Sequence, residues 1–219
     1  MNIDEIVTLK EKEVGRGSEE AHKLNLALQS VQKRILYCEY HYLEILKFSD
    51  SASLLRDRFS EAENDGVSIR TIYEANIYAF IQNLHALIDS LPYALNLFCT
   101  VYPEVEGKNI GWGKEFISKY TDYPFYDQFM GICGNEIFSK LKSMNNRVKH
   151  KHLIRIRNNC DALFFDDFTF FHDGVSKGVK DEDVRGFIIE CHDFLLPKYI
   201  EFWDNLAVYK SNSLESSLP

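Results

Sequence analysis

The stretch of sequence that decides the fold is residues 69–101, which read IRTIYEANIYAFIQNLHALIDSLPYALNLFCTV. Apolar side chains recur there every three or four residues, the spacing at which side chains share one face of an α-helix. They are Tyr73, Ile77, Phe80, Leu84, Leu87, Leu91, Leu95 and Phe98. Ser68 precedes them as an N-cap, and the missing amide of Pro92 predicts a kink. The stretch therefore predicts one long, kinked helix whose apolar face needs partners.

Three further segments show the same helical spacing. The first follows a predicted N-cap at Ser18 and carries Leu24, Leu28, Val31, Ile35, Cys38, Tyr42 and Ile45. The second begins near Asn135 and carries Ile137, Leu141, Met144 and Val148. The last helix is predicted to begin at Asp181, with a kink at Pro197; it carries Val184, Ile188, Cys191, Leu195, Tyr199, Phe202 and Leu206. A shorter helix is predicted near Leu54–Glu63, and short helical turns over residues 114–134.

The apolar spacing changes from about 3.6 to 2 after His152. Ile154 and Ile156 alternate with arginines, Asn158-Asn159 suggests a turn, and residues 162–170 are rich in strand formers, so we expect a small β-hairpin closed by Gly174 and Gly178. Its phenylalanines and aspartates would cover one end of the bundle or present an edge to a partner chain. The predicted fold is mostly α, a bundle of four to five helices with one small β-hairpin before the last helix.

We predict one helical bundle domain over residues 18–210, a flexible segment over residues 1–17 and a disordered tail over residues 211–219. An apolar content of 45% is ample for a buried core. The five cysteines show no Cys-x-x-Cys spacing and no secretory leader precedes them, so we predict reduced thiols and a cytoplasmic location. No apolar run is long enough to span a membrane, and no phosphate-loop, dinucleotide or metal-ligand motif occurs. We therefore expect no cofactor, no metal and no membrane contact.

The charge distribution is uneven. The whole chain is acidic, with a net charge of −8. Residues 140–157, here named the basic island, hold seven of the 25 basic residues and no acidic residue, so the rest of the chain carries −15. The cations of the island are Lys140, Lys142, Arg147, Lys149, Lys151, Arg155 and Arg157. Contact with an anionic ligand should therefore be local rather than spread over the surface.

The centre of the basic island, residues 145–152, reads NNRVKHKH and combines arginine with histidine. Arginine binds phosphate through two parallel donors, and histidine exchanges a proton near neutral pH. Cleavage of RNA without a metal needs a group that takes the proton of the 2′-hydroxyl, a group that protonates the leaving oxygen, and a cation at the phosphate. On an ideal helix Arg147 and His150 lie roughly 60° apart and Arg147 and His152 roughly 140° apart. The simpler alternative is that these cations only complement the helix macrodipole.

The segment Arg147-Val148-Lys149-His150-Lys151-His152 resembles the motif of the HEPN superfamily, an arginine followed after four to six residues by a histidine. The resemblance covers this motif and the helical plan. It implies a bundle of roughly four helices, often dimeric, that acts as a metal-independent ribonuclease in toxin–antitoxin and other defence systems. Arg147 would correspond to the family arginine and His152 to its histidine, with His150 as an additional candidate. Val148 departs from the family, in which this residue is commonly polar, and inactive members also exist.

Supporting roles are predicted for residues around the motif. His85 and Asp89 are one turn apart on an apolar helix and could orient each other, with Asp89 paired to Arg147, or could form an internally satisfied polar pair. Asn146 is a further supporting residue, and Lys149, Lys151 and Arg155 are predicted to contact RNA phosphates. The expected function is a metal-independent endoribonuclease or RNA-binding protein, homodimeric, with single-stranded RNA as its partner. The alternative is an inactive bundle that acts as a protein-interaction module, with an acidic protein as its partner.

Overall fold

The structure, a computed structural model, describes residues 1–48, 67–104, 107, 109–159 and 162–216. The helices in these residues are α1 (Ile3–Val14), α2 (Glu19–Leu46), α3 (Ile69–Asp89), α4 (Leu91–Phe98), α5 (Lys114–Ser118), α6 (Tyr126–Cys133), α7 (Glu136–His150) and α8 (Val184–Glu215). The strands are β1 (Ile156–Asn159), β2 (Ala162–Phe165), β3 (Phe168–His172), β4 (Val175–Val179) and β5 (Glu182–Asp183). The mostly helical class is confirmed. The short helix predicted at Leu54–Glu63 lies outside the described residues.

The chain divides into two compact units. Unit 1 comprises residues 1–34, 86–133 and 197–219, and unit 2 comprises residues 35–85 and 134–196. The assignment of residues 18–210 to a single domain stays a prediction. None of the described helices is long and apolar enough to cross a membrane.

The core of unit 1 is largely aromatic. The ring of Phe202 lies 5.9 Å from that of Phe125 and 6.0 Å from that of Phe129, measured between centroids. Tyr120 is fully buried, and its hydroxyl donates a hydrogen bond to the carbonyl of Cys99 at 3.0 Å. Rings in such tilted and edge-on arrangements bury much apolar area and favour one packing geometry. Helices α5 and α6 agree with the short helical turns predicted for residues 114–134.

The N-terminal segment is helical over Ile3–Val14, where the sequence predicted a flexible segment over residues 1–17. The side chain of Asn2 accepts a hydrogen bond from the Glu5 amide at 3.3 Å and caps α1, whose Ile6 and Leu9 are buried. Burial of two apolar side chains one turn apart supplies the stabilisation that a flexible segment lacks.

Pro92 separates two helices instead of kinking one. Helix α3 ends at Asp89 and α4 begins at Leu91, which places Pro92 in the first turn of α4. A proline is tolerated there because the first amides of a helix have no intrahelical acceptor. Pro197, in contrast, lies inside the continuous helix α8.

Unit 2 contains more strands than the predicted single hairpin. Strand β1 pairs antiparallel with β2, which pairs antiparallel with β5, and β3 and β4 form a separate antiparallel hairpin. Asn158 therefore lies in a strand, opposite Leu163, and not in a turn. Gly178 lies within β4 opposite Thr169, whereas the turn of the β3–β4 hairpin contains Asp173 and Gly174, both with positive φ. That pair is typical of the tight turn that matches the twist of two strands.

The start of α7 is as predicted, whereas α8 begins and ends later than predicted. Asn135 caps α7 by accepting a hydrogen bond from the Phe138 amide at 2.8 Å, as predicted. Helix α8 begins at Val184 and not at Asp181, because Glu182 and Asp183 first pair with β2 as strand β5. It continues to Glu215, so most of the tail predicted to be disordered is helical.

The buried cation Lys10 generates a prediction for unit 1. Its ammonium donates to Glu13 at 3.2 Å, and Lys210 donates to the same carboxylate at 2.6 Å. Burial raises the pKa of Glu13, but the hydrogen bond from Lys210 and the charge of Lys10 outweigh this and hold the pKa below its ordinary value. Because the folded state binds the proton less tightly than the unfolded chain, this contribution to stability is complete above the unfolded pKa and is lost as the pH falls through the folded pKa.

The substitution Glu13→Gln should therefore lower the free energy of unfolding at neutral pH by about 1 kcal/mol, because solvent screens the ion pairs of this partly exposed carboxylate. The loss should shrink as the pH falls through the acidic range, as measured by urea unfolding at several pH values. Glu5→Gln is the matched control on an exposed position of α1. A loss of equal size at all pH values would contradict the assigned role of the Glu13 charge.

Candidate functional site

The site begins with the backbone at the end of α7. The carbonyl of Arg147 accepts hydrogen bonds from the amides of Lys151, at 2.9 Å, and His152, at 3.1 Å. The helix ends at His150, so His152 no longer follows helical geometry. The angle of roughly 140° between Arg147 and His152 assumed a continuing helix. The structure instead ties the backbones of these two residues together by a direct hydrogen bond.

The polar side chains at this helix end are named here the helix-end cluster: Arg147, Lys149, His150, Lys151 and His152. Arg147 is half-buried, and the other four are exposed. None of the five side chains forms a hydrogen bond or ion pair with the described residues of unit 2. The exposed Asn146 lies beside the cluster. The cluster therefore presents its donors to a ligand from solution.

The remaining arginines of the basic island are paired with acidic side chains of the same unit. Arg157 lies 3.1 Å from Asp167 and 2.6 Å from Asp181, and Asp166 is 3.8 Å from it. Arg155 contacts Asp166 at 3.3 Å. Arg155 lies just before β1 and Arg157 within it, close to the acidic turns that follow β2 and β4. Arg155, predicted to contact RNA phosphate, is thus held by a carboxylate.

Of the two lysines of the basic island outside the helix-end cluster, one is paired with a carboxylate and one is not. Lys140 is paired with Glu182 at 3.1 Å, and both side chains are largely buried. Lys142 is exposed and has no ion pair with the described residues of its unit. The structure therefore neutralises part of the island internally and leaves Lys142 and the helix-end cluster available.

The predicted supporting residues lie in different surroundings. His85 is buried in unit 2, and its ring is stacked 6.1 Å from that of Phe138. Asp89 is exposed and belongs to unit 1. The proposed pairing of Asp89 with Arg147, and its contact with His85, stay predictions.

Asn145 was missed as a residue of interest by the sequence interpretation. It is completely buried in α7, and neither its amide nitrogen nor its amide oxygen has a hydrogen-bond partner among the described residues. Helical spacing predicted an apolar face of Ile137, Leu141, Met144 and Val148; Leu141 and Met144 are buried as predicted, but Phe138 and Asn145 complete the buried face in place of the half-buried Ile137 and Val148. The apolar spacing gave no indication that an amide would lie in the core.

Two histidine clusters were also missed, because each histidine has an adjacent aspartate but is completed by residues far away in the sequence. His192 lies 2.7 Å from Asp193 and 3.2 Å from Glu39, and its ring stacks on Tyr42 with centroids 3.6 Å apart. In the second cluster Nδ1 of His172 lies 3.1 Å from the hydroxyl of Ser139, and Nε2 lies 3.2 Å from Asp173. Only a contact between distant segments could have revealed either cluster.

Metal and thiol chemistry receive little support from the described part of the chain. No group of three or more histidine, cysteine, aspartate or glutamate side chains there is arranged to hold a metal ion. Cys38, Cys99 and Cys191 are buried, and burial raises the pKa of the Cys99 thiol to about 12. A thiol that stays protonated is a weak nucleophile. Cys160 lies outside the described residues.

Comparison with known proteins gives no relative. No protein-family model matches the chain, and neither a curated protein nor a solved structure matches it.

The buried amide of Asn145 generates a prediction. Replacing it by leucine, a side chain of similar size, removes two unsatisfied polar atoms from the core. We expect Asn145→Leu to raise the free energy of unfolding by about 1 kcal/mol or more, measured by urea unfolding. The neighbouring exposed Asn146→Leu is the control and should change stability little. A less stable N145L would show that the amide makes a contact that leucine cannot replace.

Proposed function

We propose that this protein acts on single-stranded RNA through the helix-end cluster, as a metal-independent endoribonuclease of a defence or toxin–antitoxin system. The observation that carries the proposal is a set of exposed or half-buried cationic and imidazole side chains that have no acidic partner among the described residues of their unit, beside the Arg147–His152 backbone contact. The resemblance of residues 147–152 to the HEPN motif supports the choice of reaction.

The electrostatics at this helix end favour an anion. The C-terminus of a helix is equivalent to about half a negative charge, which alone would repel phosphate. Arg147, Lys149 and Lys151 contribute three full positive charges within five residues. The cations therefore exceed what the macrodipole requires, and the surplus attracts a phosphate group.

The proposed chemistry assigns a role to each polar group. Arg147 binds the non-bridging oxygens of the scissile phosphate and stabilises the charge that develops on them. One of His150 and His152 takes the proton of the attacking 2′-hydroxyl, and the other protonates the leaving 5′-oxygen. Lys149 and Lys151 bind neighbouring phosphates. The reaction yields a 2′,3′-cyclic phosphate and a 5′-hydroxyl end, and it consumes no cofactor.

The proposal predicts that the purified protein cleaves single-stranded RNA in the presence of EDTA. Arg147→Ala and His152→Ala should each reduce the cleavage rate by about a hundredfold or more, the usual contribution of a general acid or base. An RNA with one 2′-deoxynucleotide should resist cleavage at that position, because the attacking hydroxyl is absent. Product ends and rates can be measured on a labelled oligonucleotide.

Matched controls exist elsewhere on the surface. Arg16 and His22 are exposed residues of unit 1, so Arg16→Ala and His22→Ala make the same chemical changes away from the site. Both variants should cleave at the wild-type rate. Unchanged cleavage by R147A and H152A, or cleavage that EDTA abolishes, would overturn the proposal.

An exposed apolar stripe on α2 favours a second candidate, a protein-interaction module that forms a homodimer. Leu36, Tyr37, Tyr40 and Leu43 lie close together on the helix surface, and each is more than half exposed. Exposed apolar groups at helical spacing are a common feature of helix pairing. This candidate needs no reaction at the helix-end cluster, which would then bind an acidic protein.

Light scattering tests this second candidate. We expect twice the monomer mass at micromolar concentration and the monomer mass for the double variant Leu36→Glu/Leu43→Glu, because burial of two carboxylates opposes pairing. Val208→Glu, at an exposed apolar position of α8, is the control and should remain dimeric. A wild-type protein of monomer mass would contradict the assignment.

A further inference from the structure

We propose that Ser139, His172 and Asp173 form a second reactive site, in which Ser139 is a nucleophile that accepts the acyl group of activated esters. The Ser139 hydroxyl lies 3.1 Å from Nδ1 of His172, and Nε2 of His172 lies 3.2 Å from a carboxylate oxygen of Asp173. A nucleophile, a base and a carboxylate joined in this order are the parts that activate a serine.

Three local structures position these side chains within unit 2. Ser139 lies in the first turn of α7, His172 ends β3, and Asp173 occupies the positive-φ position of the β3–β4 turn. Strand β3 packs on α7, and the Ser143 hydroxyl donates to the Thr169 carbonyl at 2.7 Å one turn further along. The side chain of His172 is only 12% exposed, whereas Ser139 is half-buried and reachable from solution.

The carboxylate of Asp173 selects the reactive tautomer. A neutral imidazole carries one N–H, and a carboxylate only accepts hydrogen bonds. The proton therefore lies on Nε2, facing Asp173, and the lone pair of Nδ1 faces the Ser139 hydroxyl. The hydroxyl can then donate to Nδ1, although the carbonyl of Asn135, at 3.2 Å, competes for it. The two ring nitrogens exchange the roles they have in the best-known serine triads, which the chemistry of the ring permits.

The reaction balances without any further reagent. The Ser139 oxygen bonds to the acyl carbon while its proton passes to Nδ1, and the leaving alcohol takes that proton as its bond to the acyl carbon breaks. Water then attacks the acyl-serine with His172 again as the base, which releases the acid and restores the hydroxyl. The amide of Phe138 donates to the side chain of Asn135 and is not available to the oxyanion.

A fluorophosphonate probe and p-nitrophenyl acetate test the proposal on the full chain. We expect the probe to modify Ser139, identified by peptide mass spectrometry, and ester hydrolysis to follow the same residue. Ser139→Ala should abolish labelling, and His172→Gln should slow it by about a hundredfold. Ser30→Ala, which removes from α2 a hydroxyl that bonds the carbonyl four residues earlier as Ser139 does, is the matched control and should label normally. Arg147→Ala should also label normally, which separates this site from the RNA proposal.

Asp173 is a positioning residue, and its test needs a separate readout. Asp173→Asn keeps a side chain that tolerates positive φ but removes the charge. We expect slower labelling and a changed pH midpoint of the labelling rate, whereas a role in the turn alone would leave the midpoint in place. Circular dichroism verifies that each variant is folded. Absence of labelling at Ser139 in the folded wild-type protein, or equal labelling in H172Q, would overturn the proposal.

Discussion

The hydrogen bonds to the Arg147 carbonyl are the constraint on which the functional surface depends. Two amides converge on one carbonyl, so the helical path ends there, and the chain turns toward the sheet. Residues before this point present their side chains from a helix, and residues after it enter the extended segment that precedes β1. One continuous run of positive charge in the sequence is thereby divided into two environments. The helix-end cluster lies at the division, whereas Arg155 and Arg157 beyond it are paired with aspartates.

Some of the acidic residues outside the basic island are paired with its arginines. Asp166, Asp167 and Asp181 belong to the turns around the sheet, and all three lie near Arg157. Such surface pairs contribute little to stability individually, but they remove two arginines from competition for an external anion. The helix-end cluster has no ion pair with the described residues of its unit. On the RNA proposal, selectivity for an anion would follow from which cations stay uncompensated rather than from the net charge of the protein.

The sequence correctly predicted those features that depend on residues close to one another in the chain. The caps at Ser18 and Asn135 and the stripes of α2 and α3 depend on neighbours within one or two turns, and the structure has them in place. The separation of α3 from α4 at Pro92 depends on whether the proline falls in the first turn of a new helix, which periodicity does not reveal. Strand β5 and the burial of α1 depend on pairing and packing with distant residues, so neither could be derived from its own segment.

The candidate site shows the same limit. The motif of residues 147–152 was visible because its members are adjacent, but their angular relation assumed a helix that in fact ends. The buried amide of Asn145 and the contact of Ser139 with His172 were invisible, since burial and long-range contacts are not encoded in spacing. The composition of this region therefore suggested a candidate site, but the geometry was needed to identify which residues could take part in it.

The three carboxylates around Arg157 also set a boundary for the path of a bound strand. A polynucleotide that crosses the end of α7 would next meet a region where aspartates already occupy the places of its phosphates. To continue along β1 it would have to displace those carboxylates against their repulsion. On the RNA proposal, the footprint on the strand should therefore be short and one-sided, with the strand leaving the surface on the side of the helix rather than along the sheet.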